Sequence, residues 1–278
     1  MHDIFFFTDI HGQYDLYRAI MDYCHEQDPE AMIIFGGDAC DRGPFGYKIM
    51  KELLENPYVV YLKGNHEEIF VQAAREITHC LKFETNDRKE IQNILYSCYT
   101  FDYRYQSIRD SLHNGGIETL ADWIMDGMDM EFIEKIDKLP LVFSADTCDF
   151  CHTCCSYQAF DRIVDAEYEG RPVDTYDREA ALWTRSTMNL KWKEGRTIVF
   201  GHTPVQLLPQ VMKIETTKMP DLPYRWGAKI DMDTGATFFG KAFVLNALTM
   251  KAQGFAAIDF ENKEINRYCV EKIECVQM

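Results

Sequence analysis

Residues 31–43 read Ala31-Met32-Ile33-Ile34-Phe35-Gly36-Gly37-Asp38-Ala39-Cys40-Asp41-Arg42-Gly43. The apolar run from Ala31 to Phe35 has the length and composition of a buried strand, and Gly36 and Gly37 end it with a tight turn. Asp38, Asp41 and Arg42 then fall in the loop at the strand's carboxyl end. That edge is where open α/β sheets gather their reactive groups.

Two further strand exits have the same form. Residues 2–7 are an apolar and aromatic strand leading into Thr8-Asp9-Ile10-His11-Gly12, followed by a helical pattern over about 13–25. Tyr58–Leu62 is a third strand leading into Gly64-Asn65-His66-Glu67, with a helix from about Glu67 to Cys80. Between them a helix over about 45–55 stops at Asn56-Pro57. Asp38 lies 29 residues after Asp9 and Asn65 lies 27 after Asp38, each about the length of a βαβ unit, roughly 30 residues. Right-handed crossovers make the three strands parallel with their exits along one edge. Asp9 and His11, two apart, would face the same way in extended backbone.

The rest of the chain is less patterned. Residues 81–139 look helical and charged, broken by Asn114-Gly115-Gly116. No flexible linker bounds them, so the expectation is one domain over 1–278 carrying a helical insertion at about 81–139. Strands are expected at Leu141–Ser144, at Phe150-Cys151-His152 and at 197–200, the last leading into Gly201-His202-Thr203-Pro204. Residues 161–180 read as polar loop. From about Val211 the alternation of apolar and polar residues predicts antiparallel strands.

Composition narrows the function classes. Twenty-nine basic against 45 acidic residues give a net charge of −16, which disfavours nucleic acid and anionic membranes as partners. No apolar run is long enough to span a membrane. Ile4–Phe7 is too short for a signal-peptide core, and Asp3 and Asp9 flank it where basic residues belong. The expected location is the cytoplasm, with the ten cysteines as free thiols. Cys148, Cys151, Cys154 and Cys155 repeat a Cys-x2-Cys spacing. With no second pair set apart by a loop, they read as small buried apolar residues rather than a zinc site.

Collected at strand ends are Asp9, His11, Asp38, Asn65, His66, His152 and His202. Mixed oxygen and imidazole donors suit Mn²⁺, Fe or Zn²⁺ better than Ca²⁺. A carboxylate can bridge two such ions about 3.5–4 Å apart, a pair that clamps an in-line displacement at phosphorus.

Asp9-x-His11-Gly12, Gly37-Asp38-x-x-Asp41-Arg42-Gly43, Gly64-Asn65-His66-Glu67 and Gly201-His202-Thr203-Pro204 together resemble the signature of calcineurin-like metallophosphoesterases. More narrowly they resemble the serine/threonine protein phosphatase branch, which includes lambda phosphatase and the symmetrical diadenosine tetraphosphatases. Asn114-Gly115-Gly116, Trp183-x-Arg185 and Asp231-x-Asp233-Thr234-Gly235-Ala236 extend the likeness, in order, over about 3–245. It implies an α/β fold of two packed mixed β-sheets flanked by helices, with two divalent ions, Mn²⁺ first and Fe or Zn²⁺ as alternatives. By that resemblance Asp9 and His11 bind the first ion, Asp38 bridges, and Asn65, His152 and His202 complete the second. His66 is the general acid, oriented by Asp41. Arg42 and Arg185, with Asn65, bind the phosphoryl oxygens.

Two positions depart from the pattern. Thr8 stands where the family has glycine, a change that negative φ would allow. His152-Thr153-Cys154 replaces His-Ala-Gly or His-Gly-Gly, and His113 is the next candidate for that ligand. Arg185 has the alternative of stacking on Trp183. The implied reaction is one-step hydrolysis of a phosphomonoester by hydroxide held between the ions, on phosphoserine or phosphothreonine of proteins. The alternatives are a bis(5'-nucleosyl)-tetraphosphatase or other small-molecule phosphoesterase and, in another class, a non-catalytic metal-binding scaffold.

Overall fold

The computed structural model describes residues 2–101, 104–213, 221–259, 264–270 and 273–275. The chain begins β1 (Ile4–Phe7), α1 (Tyr14–Gln27), β2 (Met32–Phe35), α2 (Gly46–Glu55), β3 (Val59–Tyr61), α3 (Asn65–Cys80). Four helices follow, α4 (Arg88–Phe101), α5 (Gln106–His113), α6 (Ile117–Met125) and α7 (Met130–Asp137). Next come the hairpin β4 (Val142–Ala145) and β5 (Cys148–Cys151), then α8 (Tyr157–Tyr168), α9 (Thr175–Trp183), β6 (Thr197–Phe200) and α10 (Leu208–Met212). The last part holds β7 (Tyr224–Trp226), β8 (Lys229–Asp231), α11 (Ala236–Phe239), β9 (Lys241–Asn246), β10 (Lys251–Asp259), β11 (Glu264–Val270) and β12 (Glu274–Cys275).

The strands form two mixed sheets, ordered β11-β10-β9-β1-β2-β3 and β12-β7-β8-β6-β5-β4. β1, β2 and β3 run parallel, with Phe7 opposite Phe35 and Phe35 opposite Tyr61, so their three exits share one edge. In the second sheet β5, β6 and β8 also run parallel. The final antiparallel strands expected from about Val211 are β7-β8 and β9-β10-β11, whereas β12 pairs in parallel with β7.

Strand alternation explains the layering. Phe6, Ile34, Leu62 and Phe243 on the first sheet's side meet Phe150, Val199 and Ile230 of the second and form the core between the sheets. Phe6 and Phe150 stack with ring centroids 5.4 Å apart. Phe5, Phe7, Ile33 and Phe35 face the other way, into a core shared with α1, α2, α3 and the helices of the 81–139 region. Phe200 and Ile198 pack outward on Phe160, Ile163, Ala181 and Leu182 of α8 and α9. Strands covered on both faces are continuously apolar, as β1 and β2 are.

The 161–180 stretch is loop only over 169–174. The rest lies in α8 and α9, and its polar composition reflects helices that bury a narrow stripe. In α8 only Ala159, Phe160, Ile163 and Ala166 are buried, at spacings of one face of a helix. Cys148, Cys151, Cys154 and Cys155 are all buried within these cores.

Candidate metal centre

The three parallel exits are locked to each other before any side chain acts. Asp9 N–H donates to Gly37 O, His11 N–H to Asp38 O and Gly12 N–H to Ala39 O, so the first two loops run side by side. Asp9 and His11 are therefore not extended. Their φ values are 55° and 45°, and Asp38, Asp41, Arg42 and His202 also lie in the left-handed region, at 61°, 66°, 64° and 70°. Non-glycine residues rarely hold that conformation, which costs on the order of 1–3 kcal/mol each and gathers at functional sites. Thr8 is not among the left-handed residues, and its hydroxyl donates to Asp9 Oδ2 at 2.7 Å.

Glu67 holds the centre of this arrangement. Its fully buried carboxylate accepts from the backbone N–H groups of Asp38, Ala39 and Gly64 and from the Tyr61 hydroxyl, each at 2.8 Å. Gly64 is thereby the cap of α3, and Asn65 is its first helical residue. A side chain at Gly64 is excluded, since a Cβ there would stand 2.2 Å from Asp38 Oδ1.

Onto this frame the functional side chains converge. His11 donates Nδ1–H to Cys40 O and His152 donates Nδ1–H to Gly36 O, both at 2.9 Å, which leaves each Nε2 as a lone-pair donor facing inward. Asp38 lies between them: Oδ2 is 3.6 Å from His11 Nε2 and Oδ1 is 3.5 Å from His152 Nε2. Asn65 Oδ1 is 2.9 Å from both His152 Nε2 and His202 Nδ1. His11, Asp38 and His66 bring ligand atoms within 4.8 Å of one another, and so do Asp38, His152 and His202. Asp38 belongs to both groups. Asp9 belongs to neither, and its carboxylate accepts from the backbone N–H of His202. His113 sits at the exposed end of α5, outside both groups.

The donor set fits divalent cations. Burial, with the neighbouring charges of Asp9 and Glu67, pushes the Asp38 carboxyl well up. Burial also raises Asp9, and it lowers His11, His66 and His202, which favours uncharged imidazoles whose lone pairs can serve a cation. With His152 Nδ1–H given to the Gly36 carbonyl, the Nε2 edge of the ring faces Asn65 Oδ1 at 2.9 Å, oxygen toward the ring nitrogen's lone pair. A shared cation satisfies both.

Beside this cluster stands a buried histidine–aspartate pair. His66 Nδ1 is 2.8 Å from Asp41 Oδ2, and both side chains are buried. Burial pushes the Asp41 carboxyl up to about 7. The 81–139 region supports this pair: Thr119 accepts the Asp41 N–H at 3.1 Å, and Gly115 O accepts the Arg42 N–H at 2.9 Å. Arg42 donates to His11 Nε2 at 2.6 Å and to His66 Nε2 at 2.8 Å. Arg185 is exposed; burial is the main cause that lowers His202 and raises Asp231, and the Arg185 charge adds to the first and partly offsets the second.

Residues 2–212 match the calcineurin-like phosphoesterase family. The chain belongs to that family. It is thus a metal-dependent phosphoester hydrolase. Its fold is similar to that of a solved protein assigned as a diadenosine tetraphosphatase, at 14% identity and a TM-score of 0.50, over 96% of this chain and 93% of that one. A cold-active protein-tyrosine phosphatase from a Shewanella species is 15% identical with a TM-score of 0.51, over 96% of this chain and 80% of the other. Identities this low show a common fold. Of the residues that organise this phosphoesterase centre, Glu67 and Gly115 stand in recognisable motifs without an assigned role, and Thr119 carries no local signal.

Proposed function

We propose that this phosphoesterase hydrolyses phosphomonoesters with two divalent ions, Mn²⁺ first, and that its substrates are phosphoserine and phosphothreonine of proteins. The observation that carries the reading is Asp38, whose two oxygens face different histidines at 3.6 and 3.5 Å. In this reading Asp9, His11 and Asp38 hold one ion, and Asp38, Asn65, His152 and His202 hold the other. The pair supplies positive charge at phosphorus and lowers the pKa of water.

The chain's own groups do the remaining work. Arg42 and Arg185, with Asn65, bind phosphoryl oxygens, for which a guanidinium fork is well matched. As general acid, His66 would take up a proton at Nε2 once Arg42 turns from that nitrogen to the phosphoryl oxygens, and give it to the departing ester oxygen, while Asp41 keeps the ring oriented through Nδ1–H. Serine and threonine alkoxides are poor leaving groups, so a retained His66–Asp41 pair favours alkyl phosphoesters over the scaffold reading. General acid help of this kind is typically worth about 10²–10⁴-fold.

The 81–139 helices share their core with β1–β3, and Thr119 contacts Asp41, which supports reading 1–278 as one domain. Nine free cysteines among the described residues support a reducing compartment, the cytoplasm. No helix among the described residues is long and apolar enough to cross a membrane.

The test is a panel of phosphoserine peptide, diadenosine tetraphosphate and nucleotides on protein loaded with Mn²⁺, Fe²⁺ or Zn²⁺, with and without chelator. Phosphopeptide turnover that stops with chelator is expected. His66→Asn should keep two metals per chain and lose at least about a hundredfold on the peptide. No turnover of any substrate with any metal would establish the scaffold instead.

A further inference from the structure

The groups that grip phosphate read only the phosphoryl end, so selectivity among substrates must come from what borders the leaving group. His66 Nε2 marks that side. Arg42 Nη2 is 2.8 Å from it, and the same guanidinium lies over the ring of Phe238, with Arg42 Cζ 5.5 Å from the ring centroid. Phe238 is 63% exposed, an unusual state for a phenylalanine one side chain away from a buried centre. It is placed there by the turn around α11. Gly235, at φ 73°, starts that turn, and the neighbouring Phe239 folds back over it, with Cδ2 2.6 Å from where a Gly235 Cβ would be. Both rings are largely exposed, Phe239 at 50%, but Phe239 lies over Gly235 and Phe238 is the one set against Arg42.

We infer that Phe238 is a specificity-determining residue: its exposed ring, beside Arg42 and His66, stacks on a planar ring carried by the leaving group. This rests on the proposed roles of Arg42 and His66. It makes the site discriminate between phosphoesters whose alcohol bears a base or aryl ring near the ester oxygen and those whose alcohol is purely aliphatic. Stacking is indifferent to which ring is offered, because every such ring presents a π face. The favoured ligand chemistry is therefore a planar ring on the leaving group, as a nucleoside or a tyrosine supplies; phosphoserine and phosphothreonine, which carry none, would be turned over without this contribution.

Matched pairs isolate the ring. Adenosine 5'-monophosphate and ribose 5-phosphate share a primary alkyl ester and differ by the base. O-phosphotyrosine and O-phosphoserine form the second pair. On the Mn²⁺-loaded full chain, Phe238→Ala should lower the ratio of kcat/KM within a pair, ring-bearing over aliphatic, by about tenfold, mainly through KM. Phe238→Tyr should restore the ratio, and Phe239→Ala should leave it at the wild-type value. The pair that responds identifies the source of the ring. If Phe238 serves only to steady Arg42, both members of each pair fall together, the ratio stays constant and the inference is overturned.

Binding gives a readout that does not depend on turnover. Titration calorimetry of the same protein with phenylphosphonate and methylphosphonate should show a preference for the phenyl compound that Phe238→Ala reduces about tenfold. A preference unchanged by the substitution overturns the inference, even if no substrate is hydrolysed and the assigned reaction is wrong.

Discussion

Replacing Glu67 by Gln is the sharpest probe of how this fold builds its centre. Each carboxylate oxygen accepts two hydrogen bonds: Oε1 from Ala39 N–H and the Tyr61 hydroxyl, Oε2 from Asp38 N–H and Gly64 N–H. A glutamine keeps one acceptor oxygen and turns the other position into a donor. The least costly orientation puts the amide NH₂ at the Oε1 position, because the Tyr61 hydroxyl can rotate to accept while Ala39 N–H cannot. One backbone donor is then stranded in a buried site, at about 1–3 kcal/mol. The Asp38 and Gly64 bonds lose their charge assistance, about 1 kcal/mol each. Burying a neutral amide in place of an anion returns part of this. The expected net loss is about 2–4 kcal/mol, a large share of a typical stability of roughly 5–15 kcal/mol. It should appear in urea denaturation as a lower midpoint at unchanged slope. Because the lost bonds hold Asp38 and Ala39 in register, Mn²⁺ affinity by calorimetry should fall at least about tenfold, as supporting partners of metal ligands typically do. Tyr61→Phe removes a single bond and should cost about 1–2 kcal/mol. A Glu67→Gln protein within about 0.5 kcal/mol of wild type, with unchanged metal affinity, would refute the account of Glu67 as the clamp.

Further expectations concern other parts of the molecule. Gly64→Ala forces a Cβ to within 2.2 Å of Asp38 Oδ1 and 2.5 Å of Asp38 N, so Mn²⁺ binding should weaken more than tenfold; calorimetry showing wild-type affinity would contradict the close approach. Asp149 is buried on β5; burial alone would raise its carboxyl, but hydrogen bonds from Arg196 and Ser144 hold it net below the ordinary carboxylate range. A lowered folded pKa contributes stability that is complete above the unfolded value, about 3.9, and is lost as pH falls through the folded one. Asp149→Asn should therefore cost about 2 kcal/mol at pH 7, discounted for the partly exposed Arg196, and flatten the acid limb of a denaturation profile; an unchanged limb argues against the pair. Mn²⁺ at about a hundred times its Kd should stabilise the native state by about 2.7 kcal/mol, seen as a Tm several degrees higher than in chelator. An identical Tm in both conditions would deny that the buried carboxylates and imidazoles hold metal.

The exits of β1, β2 and β3 were legible because their signals are local. A short apolar run, a glycine turn and a polar cluster repeat at βαβ spacing, and a parallel sheet with right-handed crossovers then has one way to arrange them. Helices α8 and α9 were not legible, since each buries only a narrow apolar stripe and the remainder reads as loop. The backbone of Asp9 and His11 was also misread as extended. Nothing in Thr8-Asp9-Ile10-His11-Gly12 announces that its conformation is imposed by hydrogen bonds to Gly37, Asp38 and Ala39, some thirty residues away.

By itself, then, the sequence determined which residue types could bind metal and which strand ends carry them, because donor chemistry and strand periodicity belong to the chain locally. Only the tertiary structure decided how they meet. His152 follows β5 and His202 follows β6, both in the second sheet, and they reach Asp38 only because Phe6, Phe150 and their neighbours hold the sheets face to face. The same packing decides which imidazole nitrogen turns inward, by setting the Cys40 and Gly36 carbonyls behind His11 and His152. It also brings Thr119 and Gly115 of the 81–139 region to Asp41 and Arg42. Such contacts are made by packing between segments far apart in sequence, and at Thr119 nothing in the flanking residues marks them.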